Sequence, residues 1–190
     1  MDIHNDNPAE KLNYRKRADD RPRAQQLTRP VGDPVKPANT WFGYPTCFAV
    51  WEPSVIRDKQ FKTGDQFVVT PNSSFADVNC AGKATPPRLS FQAHSAPIAA
   101  AFDKEAKNLY VSFHGSWNRR PATGFKLVEV PFKKLDSGLY DPVAPPDSNK
   151  GYTDVIWAKD PGSCTTAGLQ SSSCWRMAGV SVGSRTNPSR

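Results

Sequence analysis

Eighteen prolines and twelve glycines are spread along 190 residues, and this punctuation constrains the fold more than any other feature of the chain. Proline removes a main-chain donor and clashes inside a helix, while glycine weakens helix and strand alike, so long helices are excluded. The apolar runs agree. Trp41-Phe42-Gly43-Tyr44, Phe48-Ala49-Val50-Trp51, Gln66-Phe67-Val68-Val69 and Leu89-Ser90-Phe91-Gln92 are each strand-length and none is helix-length. Ile98 to Phe102, Leu109 to Phe113 and Phe125 to Val130 then follow one another across tight turns, the pattern of an antiparallel meander. Period-2 alternation puts Leu109, Val111 and Phe113 on one face, and Lys126, Val128 and Val130 on one face of the next strand. Asp154 to Ala158 and Trp175 to Val182 offer further strands, with Asp136 to Lys150 as a surface connection.

The formal charge of +7 is unevenly placed. Between Lys11 and Lys36 eight basic residues face three acidic ones, so that window carries five of the seven charges. It also holds three prolines, with Pro37 just beyond, and almost no apolar periodicity, and it reads as a solvated linker. Stacking aromatics are nearly absent from it, which argues against a nucleic-acid arm. No apolar run approaches the roughly 18–20 residues of a membrane span. The opening residues show neither a basic n-region nor an apolar h-region, so no signal peptide is read here.

Four cysteines, Cys47, Cys80, Cys164 and Cys174, contain no CxxC pair and no histidine at ligand spacing, which disfavours zinc. Two disulfides or four reduced thiols remain. Of the three pairings possible, Cys47 with Cys80 and Cys164 with Cys174 closes the shortest loops. Asn72-Ser73-Ser74 is an N-glycosylation acceptor in a turn-like stretch and agrees with a secreted origin.

Meanders spaced by loops are the sequence pattern of propeller blades, about 40–50 residues each. Residues 41–182 supply about three blades where a closed ring needs about four to eight. Either the fold is a smaller sandwich or the chain is a piece of a larger ring. His94-Ser95-Ala96-Pro97 and His114-Gly115-Ser116-Trp117-Asn118-Arg119-Arg120 follow strands, where a propeller presents loops to its channel.

Four motifs in order, Asp6-Asn7-Pro8-Ala9-Glu10-Lys11-Leu12-Asn13, Phe42-Gly43-Tyr44-Pro45-Thr46-Cys47-Phe48, Gln92-Ala93-His94-Ser95-Ala96-Pro97 and Phe113-His114-Gly115-Ser116-Trp117-Asn118-Arg119, resemble the fungal pyrroloquinoline-quinone (PQQ)-dependent pyranose dehydrogenases, relatives of the glucose/sorbosone dehydrogenases. The resemblance implies an all-β fold, part of a six-bladed β-propeller. Residues 1–10 would be a loop on the calcium and cofactor side, 11–40 the basic linker, 41–182 the blades and 183–190 a tail. It implies oxidation of an aldose with PQQ as hydride acceptor and calcium as second cofactor, in an extracellular enzyme whose longer form passes electrons to a cytochrome. His94 would be a catalytic residue, with the family's principal catalytic histidine expected in an earlier blade. His94, His114, Trp117, Asn118, Arg119 and Arg176 would line the cofactor site, and Asp6 and Asn7 would bind the metal. The chain stops before a last blade could close and lacks earlier blades, so a fragment is expected. A non-catalytic carbohydrate- or protein-binding module is the alternative.

Overall fold

The computed structural model describes residues 5–13, 40–116, 118–136 and 138–157. Nine strands, one α-helix and a 3-10 turn at Pro53–Val55 occupy them: β1 (Glu10–Leu12), β2 (Cys47–Ala49), β3 (Gln66–Val68), α1 (Asp77–Lys83), β4 (Leu89–Phe91), β5 (Pro97–Phe102), β6 (Asn108–Phe113), β7 (Lys126–Lys134), β8 (Tyr140–Pro142) and β9 (Thr153–Trp157). All pairing is antiparallel. β1 pairs with β4 and β2 with β3, while β5, β6 and β7 form the expected meander, which β8 and β9 extend.

The meander is the complete unit. Leu109, Val111 and Phe113 of β6 and Val128, Val130 and Phe132 of β7 share its buried face, and Leu89 and Phe91 of β4 pack across them. Phe91 meets Phe113 edge-on with ring centroids 5.3 Å apart, and Phe102 meets Phe132 at 5.0 Å. The alternation read from the sequence is therefore the alternation of burial, Lys126 included at 7% exposure.

β7 runs four residues past the expected end at Val130, straight through Pro131. The Phe132 N–H donates to Lys107 O on the β6 side, so the nitrogen of Pro131 faces the opposite edge. There β9 pairs with residues 126–129 and β8 with 132–134, leaving position 131 in the gap, where a missing donor costs nothing. The region expected as a bare surface connection thus contains β8. Arg88 fixes it: Nε and Nη2 donate to the two carboxylate oxygens of Asp141 at 2.8 and 2.6 Å, and further bonds reach Pro142 O and Ala144 O.

Two more differences concern short elements. The run Trp41–Tyr44 is a loop and turn, in which Gly43 takes φ +103° and an added Cβ would stand 2.6 Å from Cys47 O. α1 arises where only turns were expected. Asn79 Oδ1 accepts from Ala76 N at its start, and Asp77 Oδ1 accepts from Val68 N, tying the helix to β3. Cys47 and Cys80 form a disulfide between β2 and α1. Cys164, Cys174 and the strand expected at 175–182 lie outside the described residues.

Candidate functional site

Four segments distant in sequence converge where β2, β4 and β6 end and β7 begins. Residues 5–7 lie among the Trp51-Glu52 main chain, the turn after β4 and the loop after β6. The segment is positioned by its continuation: Ala9 N donates to Ala49 O, and β1 pairs Glu10 to Leu12 with Phe91 to Leu89.

The turn after β4 is strained. His94 and Ala96 hold φ of +56° and +53°, the left-handed region that costs non-glycine residues about 1–2 kcal/mol each. Its conformation is over-determined by its bonds. Ser95 Oγ donates to Gln92 O at 2.7 Å, Gly115 N to Ser95 O and His114 N to Ala96 O at 2.9 Å, and Ala96 N to Glu10 Oε1 at 3.4 Å.

That turn brings the His94 ring between Asn7 O, 3.0 Å from Nε2, and Asn118 Nδ2, 3.4 Å from Nδ1. A carbonyl only accepts and an amide nitrogen only donates, so this pairing assigns a neutral ring with its proton on Nε2. Asn7, 1% exposed, is the hub. Its Oδ1 accepts from Trp51 N at 2.7 Å and Glu52 N at 3.4 Å, and its Nδ2 donates to Glu52 O at 3.1 Å. Arg119 spans the same segment. Nε donates to Asn5 O at 2.6 Å, Nη2 to Asp6 Oδ1 at 2.8 Å and Nη1 to Pro121 O at 2.9 Å. Arg120 N adds a bond to Asn5 Oδ1.

The structure thus brings together His94, Asn118, Arg119, Asp6 and Asn7. His114 stands apart, exposed, its ring edge-on to Phe125 with centroids 4.9 Å apart. Trp117 and Arg176 lie outside the described residues. For a metal, Asp6 keeps its Oδ2 outside the Arg119 pair, whereas the carboxamide oxygen of Asn7 is spent on two main-chain N–H groups. No group of three or more His, Cys, Asp or Glu among the described residues could hold a metal ion.

Sequence reasoning did not single out the supports beneath this cluster. Lys126 Nζ donates to Gln92 Oε1 at 2.7 Å and lies 5.5 and 5.7 Å from the ring centroids of Phe113 and Tyr152. Burial lowers its pKa, and the positive Arg119 adds to the shift. Gln92 N donates to Tyr152 Oη, and burial pushes that phenol up to about 12. Glu10 is raised by burial as well, against the hydrogen bond from Ala96 N and the positive charge of Lys11. The signal for Lys126 was present in the alternation, since a lysine in register with two valines shares their buried face.

A family model described as TrAA12-like matches residues 1–187. The chain belongs to the TrAA12-like family. Among curated relatives of this TrAA12-like chain, the PQQ-dependent pyranose dehydrogenase of Coprinopsis cinerea is 35% identical over 181 residues, covering 94% of this chain and 22% of the relative. The PQQ-dependent sugar dehydrogenase of Hypocrea jecorina (strain QM6a) is 28% identical over 167 residues, covering 86% of this chain and 33% of the relative. The TrAA12-like chain therefore spans roughly a fifth to a third of the length of these relatives. Solved structures share its fold. The holo form of the pyranose dehydrogenase PQQ domain from Coprinopsis cinerea superposes with TM-score 0.64 at 37% identity, over 80% of this chain and 34% of that one. A calcium structure of the Trichoderma reesei AA12-family carbohydrate-active enzyme gives TM-score 0.69 at 28% identity, over 87% and 37%. The TrAA12-like chain is thus part of a β-propeller, with one full sheet and two two-stranded pairs described.

Proposed function

We propose that this chain is part of an oxidoreductase that uses PQQ and calcium to oxidise an aldose, and that the His94 turn and the His114 to Arg120 loop form one wall of its cofactor site. The observation that carries this reading is the strained, over-determined turn, which holds His94 with both ring nitrogens oriented beside Arg119. Strain kept in place by many bonds is characteristic of functional positions.

PQQ is a flat tricarboxylate quinone, and exposed donors suit its carboxylates: His114 and Arg120 are both exposed in the loop after β6. When bound it supplies the acceptor for the two electrons of the sugar. The described residues do not fit a calcium shell of six to eight oxygens, since Asp6 offers one carboxylate oxygen and Asn7 must release Trp51 and Glu52 to join. The proton chemistry falls to His94. Its Nδ1 lone pair can take a hydroxyl proton once Asn118 turns aside, while Asn7 O stays on Nε2–H and stabilises the imidazolium formed. Trp117 and Arg176 remain proposed members of the wall by their motif positions.

Reconstitution tests the reading. Titration with PQQ in the presence of calcium, followed by calorimetry and by dye reduction with glucose, fucose or sorbosone, should give quinone binding that His94→Gln weakens in turnover. Absence of quinone binding by folded protein ends the proposal. The pairing of Asp6 with Arg119 and of the Asn7 carboxamide with the Trp51-Glu52 main chain favours a second reading, a binding module without redox chemistry; sugar binding indifferent to the quinone would identify it. The Cys47–Cys80 disulfide supports an oxidising compartment, and we place the protein outside the cell. Among the described residues no helix is long and apolar enough to cross a membrane. A cytochrome acceptor belongs to the same proposal for the longer enzyme.

A further inference from the structure

Asn72-Ser73-Ser74 is the sole Asn-X-Ser/Thr acceptor of the chain whose middle residue is not proline. Pro71, Asn72, Ser73 and Ser74 are all exposed, in a turn between β3 and α1 closed by a bridge from Asn72 to Phe75. Asn72 Oδ1 accepts from Ser74 N and Phe75 N, both at 2.9 Å. The oxygen of the carboxamide is thereby spent inside the turn, and Nδ2 donates to no group among the described residues. Position supports a modification as well. Antiparallel pairing of β2 and β3 puts Ala49 opposite Gln66 at the end that leads to Trp51 and Glu52, the main chain held by Asn7, whereas Asn72 follows the other end of β3. A bulky group there stands away from the His94 cluster. Two exposed apolar side chains flank it in sequence, Val69 at 60% and Val78 at 76% exposure.

We infer that Asn72 carries an N-linked oligosaccharide, an assignment that rests on the extracellular reading above. Asn72 Nδ2 attacks the anomeric carbon of a polyprenyl-pyrophosphate-linked oligosaccharide. The new N–C bond forms as the C–O bond to pyrophosphate breaks, the amide proton passes to a base of the transferring enzyme, and polyprenyl pyrophosphate leaves. No electrons are exchanged. The glycan then stands at the end of β3 opposite the one that leads to Trp51 and Glu52.

The chain expressed behind a secretory leader in a fungal host, with glycopeptide mapping of medium and cells, tests the assignment. A glycan is expected at Asn72, removed by an amidase that cleaves the Asn–sugar bond. It should be lost in Asn72→Gln and Ser74→Ala and retained in Ser73→Ala. Ser74→Ala is the decisive variant, because the turn uses the main-chain nitrogen of residue 74 and survives the change. Secreted, disulfide-linked protein with unmodified Asn72 overturns the assignment and leaves the extracellular reading intact. Protein retained in the cell yet glycosylated at Asn72 does the reverse.

Discussion

At the residue scale the site is organised by Asn7, a buried carboxamide that satisfies three main-chain groups at once. Asn7→Ala leaves those groups without partners inside the protein and should cost about 2–4 kcal/mol in urea unfolding. A different variant isolates the proton chemistry: Asn118→Ala removes the amide donor at Nδ1 of His94 while Asn7 O keeps the proton on Nε2, so the Nδ1 NMR signal should shift and the Nε2–H tautomer should persist. Tyr152 predicts an alkaline limit. Its pKa is raised in the folded state to about 12 against about 10 when unfolded, so the folded form holds its proton longer. The stabilisation is complete below pH 10 and is lost as pH rises toward 12, about 2–3 kcal/mol over that window. Tyr152→Phe should flatten this part of the stability profile. His94, Asn118 and Arg119 were legible because a loop after a strand concentrates unusual polar residues. The supports were less so. Glu10, Gln92 and Tyr152 act through contacts 34 to 86 residues away, and no local pattern encodes those.

Among the elements, the strands with strong alternation were readable and the ones made by their partners were not. β6 and β7 announce themselves through Leu109, Val111, Phe113, Val128 and Val130, each pair two residues apart. β1 is three residues at the edge of a polar, basic segment, and it is a strand because β4 offers an edge and Lys11 Nζ finds Phe42 O at 2.6 Å. α1 has seven residues including Gly82, too short and too poor in helix formers to stand on propensity, and it is held by Asp77, Asn79 and the Cys47–Cys80 bond. Reducing that disulfide should remove about 3–4 kcal/mol, as expected for a closed loop of 33 residues, and lower the denaturation midpoint measurably. Packing between elements gives a second test. A Cβ on Gly151 would sit 2.4 Å from Leu89 Cδ1 and 2.9 Å from Ala144 Cβ, in a part of the core where Leu89 is fully buried. Gly151→Ala should therefore destabilise by about 1–3 kcal/mol through overpacking, read as a shift in thermal midpoint.

For the whole molecule, the propeller character was visible in the spacing of short strands, while which strands pair was not, because pairings join segments far apart in sequence. The described sheet has β5 along one edge and β9 along the other, and both expose apolar side chains: Ile98 at 58%, Val155 at 50% and Trp157 at 49%. Strand edges without a partner among the described residues invite association. Sedimentation should show concentration-dependent association of the isolated chain, and Val155→Lys should reduce it while leaving the far-UV spectrum unchanged.

The stitching of residues 5–7 also sets an order of events during synthesis. Asp6 and Arg119 are 113 positions apart, and Asn5 and Arg120 are 115 apart. Residues 5–7 must wait for the loop after β6 before these bonds can form, after β2 and β3 have been synthesised. Loop closure over such a span is slow relative to hairpin formation. The site is consequently assembled after the local pairings, on a scaffold whose β2–β3 pair and meander can form first, and the His94 turn acquires its final geometry only when residues 5–7 and the loop after β6 have come together around it.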